Sequence, residues 1–305
     1  MGTSLSQWAR LHLVDSAAMR THWDHNPEGK FIEHLLDDDR LEQDGAVWKV
    51  RSELELVRVL GSLQFRNPEM HLWFRGERAF HDKALPKRLR GGPGQVALTG
   101  AGVEWLNRHS SIDRAIRDRS DLARLAILQH YGCPTSLLDV SRNFEVACAF
   151  AFAGPVQGQA YLRVYALPRH QRAVTVLDAL DTVVVDLAAE LPSFCSRPHV
   201  QQAAFIARRS AVCSDLDGSP PAPMDSATVD ALCIAHLRLD FPGAPRFFEP
   251  RHNAGVLYPR AGNGCRVCKK DADMNGDYLL HILECYAREY PDGKPAGFPD
   301  KLAKT

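Results

Sequence analysis

Three segments of the chain carry residue types that could do chemistry. In Trp73-Phe-Arg-Gly-Glu77 an arginine sits beside a glycine at the end of a compact strand signal, Leu72–Phe74. A guanidinium fixed on a strand offers paired N–H donors to a phosphate, and the glycine leaves room for a ligand to approach the backbone. An edge-strand arginine in a salt bridge is the competing reading. Leu128–Ser141 gathers Gln129, His130, Tyr131, Thr135, Asp139 and Ser141 around a helix–turn–strand–helix. The helix expected over Phe144–Phe152 would aim its N-terminal N–H groups at an anion bound there. Alternatively, His130 and Asp139 are core hydrogen-bonders. Arg197–Phe205 offers Arg197, His199, Gln201 and Gln202 ahead of a strand and says little alone.

A fourth cluster lies near the end. Cys265-x2-Cys268-x12-His281-x3-Cys285 has the order of a two-cysteine knuckle followed by His and Cys one helical turn apart. Tetrahedral zinc takes such N/S sets, and four protein ligands leave no open position, so the expected role is structural. The aromatic and leucine usual between such ligand pairs are only partly present, in Tyr278, Leu279 and Leu280. Asp271-x-Asp273-x-Asn275-Gly276 imitates the start of a calcium loop, but Ile282 stands where the bidentate Glu belongs, which excludes that site. His22-x-x-His25 has no further ligand in register and reads as a solvated face.

These residues sit in a chain of 305 residues with 37 basic and 37 acidic side chains. That balance argues against coating nucleic acid by bulk charge, while allowing a local basic patch. The longest apolar runs, such as 146–154, are too short to span a bilayer, and Met1–Asp24 lacks a secretory apolar core. A cytoplasmic protein with no membrane partner is expected. The 8 cysteines are too sparse for a disulfide scaffold.

The elements that must position the site follow from periodicity. Residues 1–45 read as a polar surface helix or arm. Ser52 caps a helix over 53–61. Helices are expected over 99–116 and 120–131, and a strand over Thr135–Asp139. Ser141 or Asn143 caps the buried helix that follows. Strand patterns recur at Tyr161–Leu167, Val174–Leu177, Thr182–Leu187, Ala203–Ile206 and Leu232–Leu239, the third passing into helix. Leu85–Gly94 and Gly218–Pro223 read as loops. The order favours an α+β fold with a mixed or antiparallel sheet and flanking helices.

Taken together, the motifs resemble a known family. Phe74-Arg75-Gly76, Gln129-His130-Tyr131-Gly132-x-Pro134-Thr135-x-Leu137-Leu138-Asp139, Ala147-x-Ala149-Phe150 and a Gln shortly before Phe205 look like the FRG domain. The resemblance spans residues 48–260, between an N-terminal segment, 1–47, and the finger-like segment, 261–305. Two positions depart from the family pattern: Ser136 stands where Arg is usual, and Val140 where Trp is usual.

The FRG layout is in turn similar to that of ADP-ribosyltransferases, which implies an ADP-ribosyltransferase-like fold and an NAD cleft. The resemblance implies Arg75 on the ribose or pyrophosphate, and Ser141 or Thr135 orienting the nicotinamide ribose. Gln202, or Gln201, takes the third motif position. Phe74, Gly76, Gln129, His130, Tyr131 and Thr135 would complete cofactor binding. Cleaving the nicotinamide–ribose bond generates an oxocarbenium-like cation, which a carboxylate stabilises. Gln at the third position cannot supply that charge, so Asp139, or Glu77, would. The implied activity is that of a toxin or phage-defence effector, with an unknown acceptor of protein or nucleic acid and an antitoxin or inhibitor protein as partner. A non-catalytic nucleotide- or nucleic-acid-binding module is the alternative.

Overall fold

Ser52 starts helix α1 (Glu53–Arg66) by accepting the Glu55 N–H at 3.1 Å, while the Glu55 carboxylate reaches back to the Arg51 N–H at 2.5 Å. Such an N-terminal cap stabilises a helix by roughly 1 kcal/mol. Leu56, Val59, Leu60 and Leu63 recur at helical spacing and are buried. At the other end, Asn67 Nδ2 donates to the Leu63 carbonyl at 2.8 Å, and Gln64 Nε2 donates to Met70 O at 2.9 Å. These bonds turn the chain directly into strand β4. The computed structural model describes residues 11–14, 42–68, 70–86, 120–130, 135–152, 160–169, 173–191, 196–217 and 232–241.

Among these residues ten strands form one mixed sheet. In chain order they are β1 (Leu11–Val14), β2 (Glu42–Asp44), β3 (Val47–Val50), β4 (Met70–Glu77) and β5 (Leu138–Ser141), then β6 (Ala160–Pro168), β7 (Val174–Leu177), β8 (Thr182–Asp186), β9 (Ala203–Arg208) and β10 (Cys233–Leu239). Their spatial order is β1-β7-β8-β9-β5-β4-β6-β10-β3-β2. The pairs β1/β7 and β10/β3 are parallel and the rest antiparallel. The other helices are α2 (Asp121–His130), α3 (Phe144–Phe152), α4 (Leu187–Glu190), α5 (Ser196–Val200) and α6 (Arg209–Asp217). The architecture is α+β, as expected. No helix among the described residues is long and apolar enough to cross a membrane.

Strand periodicity divides the core in two. On β9, Ala204 and Ile206 join a cluster containing α1, α3, β4, β6 and β10 residues. The alternate residues Ala203, Phe205 and Ala207 join a second cluster with Leu122, Leu125 and Ile127 of α2 and Val183 and Val185 of β8. Side chains one residue apart on a strand point to opposite faces, so β9 holds both cores together.

Several expectations shift. The N-terminal segment supplies β1 and β2 to the sheet rather than only an arm, and β4 runs through Gly76 instead of ending there. The strand expected at Thr135–Asp139 lies at Leu138–Ser141. Thr135 and Ser136 precede it because their side chains hydrogen-bond locally and across to α6. Helix α6 was not anticipated, since Arg209–Asp217 has weak apolar periodicity. The segments 99–116 and 218–223 and most of 85–94 lie outside the described residues.

Candidate functional site

The sheet parts at one place. Strands β4 and β6 pair along their full lengths, from Met70↔Pro168 to Glu77↔Tyr161. Strands β4 and β5 pair only at Phe74↔Ser141. A cleft of about 1080 Å³ opens beside that single bridge. Backbone polar groups freed from a ladder need other partners, and Arg75 supplies one. Its Nη1 donates to the Asp139 carbonyl at 2.9 Å, while its Nε donates to Glu77 Oε1 at 3.1 Å. A side chain thus bridges the strands where the ladder stops.

The neighbours of Arg75 have separate tasks. Phe74 packs edge-on against Phe144 at the start of α3, with ring centroids 6.1 Å apart. Gly76 lies so close to α3 that an added Cβ would stand 1.8 Å from the Ala147 carbonyl oxygen. The glycine therefore admits the helix, and it also lines the cleft. Asn143 caps α3 by accepting the Glu145 N–H on Oδ1 at 2.8 Å.

Of the residues singled out from the sequence, Phe74, Arg75, Gly76, Gln129, His130, Asp139 and Ser141 line the cleft together. Gln129 Nε2 donates to Asp139 Oδ2 at 3.0 Å and to the Leu137 carbonyl at 3.2 Å. Its own oxygen accepts the Thr135 hydroxyl at 2.5 Å. Gln129 thereby holds the exposed Asp139 carboxylate to the end of α2. Thr135 is buried outside the lining and acts on Gln129 instead. The Ser141 hydroxyl donates to the Gln201 carbonyl at 2.8 Å and accepts the Asn143 N–H at 3.0 Å, tying β5 to the turn before β9.

Of the two glutamines before β9, Gln201 lines the cleft and Gln202 does not. Both follow α5 in a tight turn, where Gln201 N–H bonds Arg197 O and Gln202 N–H bonds His199 O. Gln202 takes a left-handed φ of 45°, its side chain is exposed, and it does not line the cleft. Ser136 is also explained. It is buried, and its N–H and hydroxyl both bond the buried Asp215 carboxylate of α6, at 2.7 and 2.8 Å. At this position the chain fastens a helix rather than presenting a cation. Arg142, the nearest arginine along the chain, ion-pairs with Asp186 at 2.6 Å and lies over the Trp73 ring.

Glu77 is the other carboxylate of the cleft wall. It is buried between two guanidiniums, because Arg163 Nε donates to its Oε2 at 2.9 Å. Burial opposes the charge on Arg163, but the adjacent Glu77 carboxylate outweighs it and raises the pKa. Arg163 also reaches His236 Nε2 at 3.1 Å and the His81 carbonyl. The sequence signal for this group was an arginine inside the apolar run Tyr161–Leu167.

Two histidines are held neutral. Burial, with Arg197 nearby, pushes His130 down to about 3. Burial, with Arg163 nearby, pushes His236 down to about 4. The His130 ring lies 5.2 Å from Phe205, and its Nε2 is buried without a hydrogen-bond partner among the described residues. Neither imidazole is a cation at neutral pH. In the unfolded chain both take up protons below about pH 6.5. The unfolded state then binds more protons than the fold, so stability falls as pH drops from about 6.5 toward 4 and is complete above that window. The urea midpoint should fall between pH 7 and pH 5, and a His130→Gln/His236→Gln double variant should flatten that fall.

Among the described residues no group of three or more His, Cys, Asp or Glu stands where it could hold a metal ion. Tyr131, Cys265, Cys268, His281 and Cys285 lie outside the described residues.

The split sheet, the Phe-Arg-Gly packing and the Gln129–Asp139 contact all rest on one stretch of sequence, and a family model matches it. Residues 70–159 form an FRG domain. The match is shorter than the 48–260 expected. It runs from the start of β4 to the residue before β6 and contains every cleft-lining residue except Gln201 and Ala203. The FRG segment therefore lacks the strand partners β6 and β9, which the rest of the chain supplies. No curated protein and no solved structure matches the chain significantly.

Proposed function

We propose that the cleft binds NAD, cleaves its nicotinamide–ribose bond and passes ADP-ribose to an acceptor, with the layout of an ADP-ribosyltransferase. The observation that carries this reading is the meeting of Arg75, Asp139, Gln129 and Gln201 at one cleft beside the single β4/β5 bridge. Arg75 takes the ribose or pyrophosphate, since a guanidinium matches phosphate oxygens. The C–N bond breaks with its electron pair leaving on nicotinamide, and the sugar carbon becomes oxocarbenium-like. Asp139 faces that charge and stabilises it. Glu77 is already spent between Arg75 and Arg163, which favours Asp139 for this role. Gln129 is a positioning residue, and Gln201 hydrogen-bonds the 2′-hydroxyl. The neutral His130 is not an imidazolium and so is no general acid at neutral pH. A toxin or defence effector in the cytoplasm, restrained by an inhibitor protein over the cleft, accords with such chemistry. The zinc expected at Cys265, Cys268, His281 and Cys285 is a separate structural proposal, tested by metal analysis of protein purified without added zinc.

One observation favours a second reading. Gln201 is an amide, so it cannot offset a developing cation, and a cleft so equipped could bind a nucleotide without turnover. Gln201→Glu separates the two. If the cleft is catalytic, the wild type releases nicotinamide from NAD and the added carboxylate changes that rate. If it only binds, NAD titrates with both proteins and neither releases nicotinamide.

A further inference from the structure

The wall that follows β4 is anchored from inside. The Phe80 ring lies 5.7 Å from Tyr161 and 5.8 Å from His236. The His81 carbonyl accepts from the buried Arg163, which also holds Glu77. With backbone and one ring fixed inward, the exposed residues Arg78, His81 and Lys83 line the cleft mouth. Neither Arg78 nor Lys83 makes an ion pair with a described residue.

This charge is local. The whole chain balances 37 basic against 37 acidic residues. The stretch 75–90 instead sets Arg75, Arg78, Lys83, Lys87, Arg88 and Arg90 against Glu77 and Asp82. The Glu77 charge is already matched by Arg163. A dinucleotide brings one pyrophosphate, for which Arg75 stands beside Asp139. Arg78 and Lys83 at the mouth exceed what that group needs and suit further phosphates. The half-buried Phe150 and Leu85 give the same cleft apolar surface on which an unstacked base can rest.

We propose that Arg78, His81 and Lys83 form a docking wall for single-stranded nucleic acid, which makes a nucleic-acid strand the acceptor presented to the cleft. The acceptor assignment rests on the NAD reading above; the docking does not. In the transfer, a nucleophilic atom of the strand bonds the ribose carbon as nicotinamide departs with the C–N pair, and its proton passes to solvent. A cleft wall receives a strand with splayed bases, whereas a duplex keeps its bases stacked inside.

The test is fluorescence anisotropy with a labelled single-stranded oligonucleotide of ~12 nucleotides, within the span of a single-strand site, and without NAD. The wild type should bind, with affinity falling steeply with salt. Arg78→Gln/Lys83→Gln should bind about tenfold more weakly, with a log–log salt slope shallower by about 1.4, the value for two lost phosphate contacts on a single strand. A duplex of the same sequence should bind more weakly than the strand. No binding at low salt, a variant with unchanged affinity, or a preference for duplex overturns the proposal. So does a variant that loses NAD affinity while keeping the oligonucleotide, since the wall would then serve the dinucleotide. Because NAD is absent from the binding assay, a protein that binds the strand but never cleaves NAD retires the NAD reading and keeps the docking wall.

Discussion

Replacing Gly76 by alanine should destabilise the fold by at least about 3 kcal/mol, the upper range for overpacking a core. The new Cβ would stand 1.8 Å from Ala147 O and 2.8 Å from both the Ala147 carbonyl carbon and the Ala151 nitrogen. All three are backbone atoms of α3, so no rotamer change can relieve the contact. The helix must move as a body, and it cannot do so cheaply, because Val146, Ala147, Cys148 and Ala151 are buried. Trimming the neighbour offers a control. Ala147→Gly removes only a side chain, so it should not rescue Gly76→Ala. Urea denaturation measures both. A Gly76→Ala protein with the wild-type midpoint would mean that α3 does not pack on β4 as described.

The second large effect lies one residue on. Glu77→Ala removes the carboxylate shared by Arg75 and Arg163 at 3.1 and 2.9 Å. Arg163 is 2% exposed, so its guanidinium would remain buried beside the already neutral His236. Uncompensated buried charge typically costs about 3–5 kcal/mol. Removing both charges should hurt less: Glu77→Met/Arg163→Met should recover most of the loss, because a buried ion pair adds little over packed apolar groups. A double variant as unstable as Glu77→Ala would show that the pair's hydrogen bonds to the wall matter more than its charge. The wall itself reports on this, since the His81 carbonyl loses its Arg163 donor in the double variant alone.

Much of the element pattern was legible because it is local. Phe144–Phe152, Val174–Leu177, Thr182–Asp186 and Ala203–Arg208 announce themselves by composition and period, and Ser52 and Asn143 by capping chemistry. What the sequence withheld depends on contacts between distant segments. The single Phe74↔Ser141 bridge and the cleft beside it follow from where two strands diverge, which no periodicity encodes. Gly76 marked a close approach to the backbone, but only the fold shows that α3 makes that approach. The choice between Gln201 and Gln202 turns on a left-handed φ at a non-glycine residue, for which glutamine gives no signal. Ser136 departs from the family pattern, and its partner, Asp215, sits on a helix too polar to be read from spacing.

The site was more legible than its supports. Arg75, Gln129, His130 and Asp139 were visible as residue types in two motifs, and they do share the cleft. Arg163 was visible only as a charge in an apolar strand. It proves to hold the wall from below through Glu77 and His81. Sequence motifs mark the groups that line the cleft, while buried groups that fix them are set by strand register, here Arg75↔Arg163.

The most direct test of the cleft's role is nicotinamide release from NAD by the purified chain, compared with Asp139→Asn. The variant keeps the shape of the side chain and its contact with Gln129 while removing the charge. The cleft reading predicts release by the wild type and a rate at least about a hundredfold lower in the variant, the usual cost of removing one electrostatic stabiliser. Equal rates in two folded proteins would contradict the role of Asp139, and no release by the wild type would contradict cleavage itself.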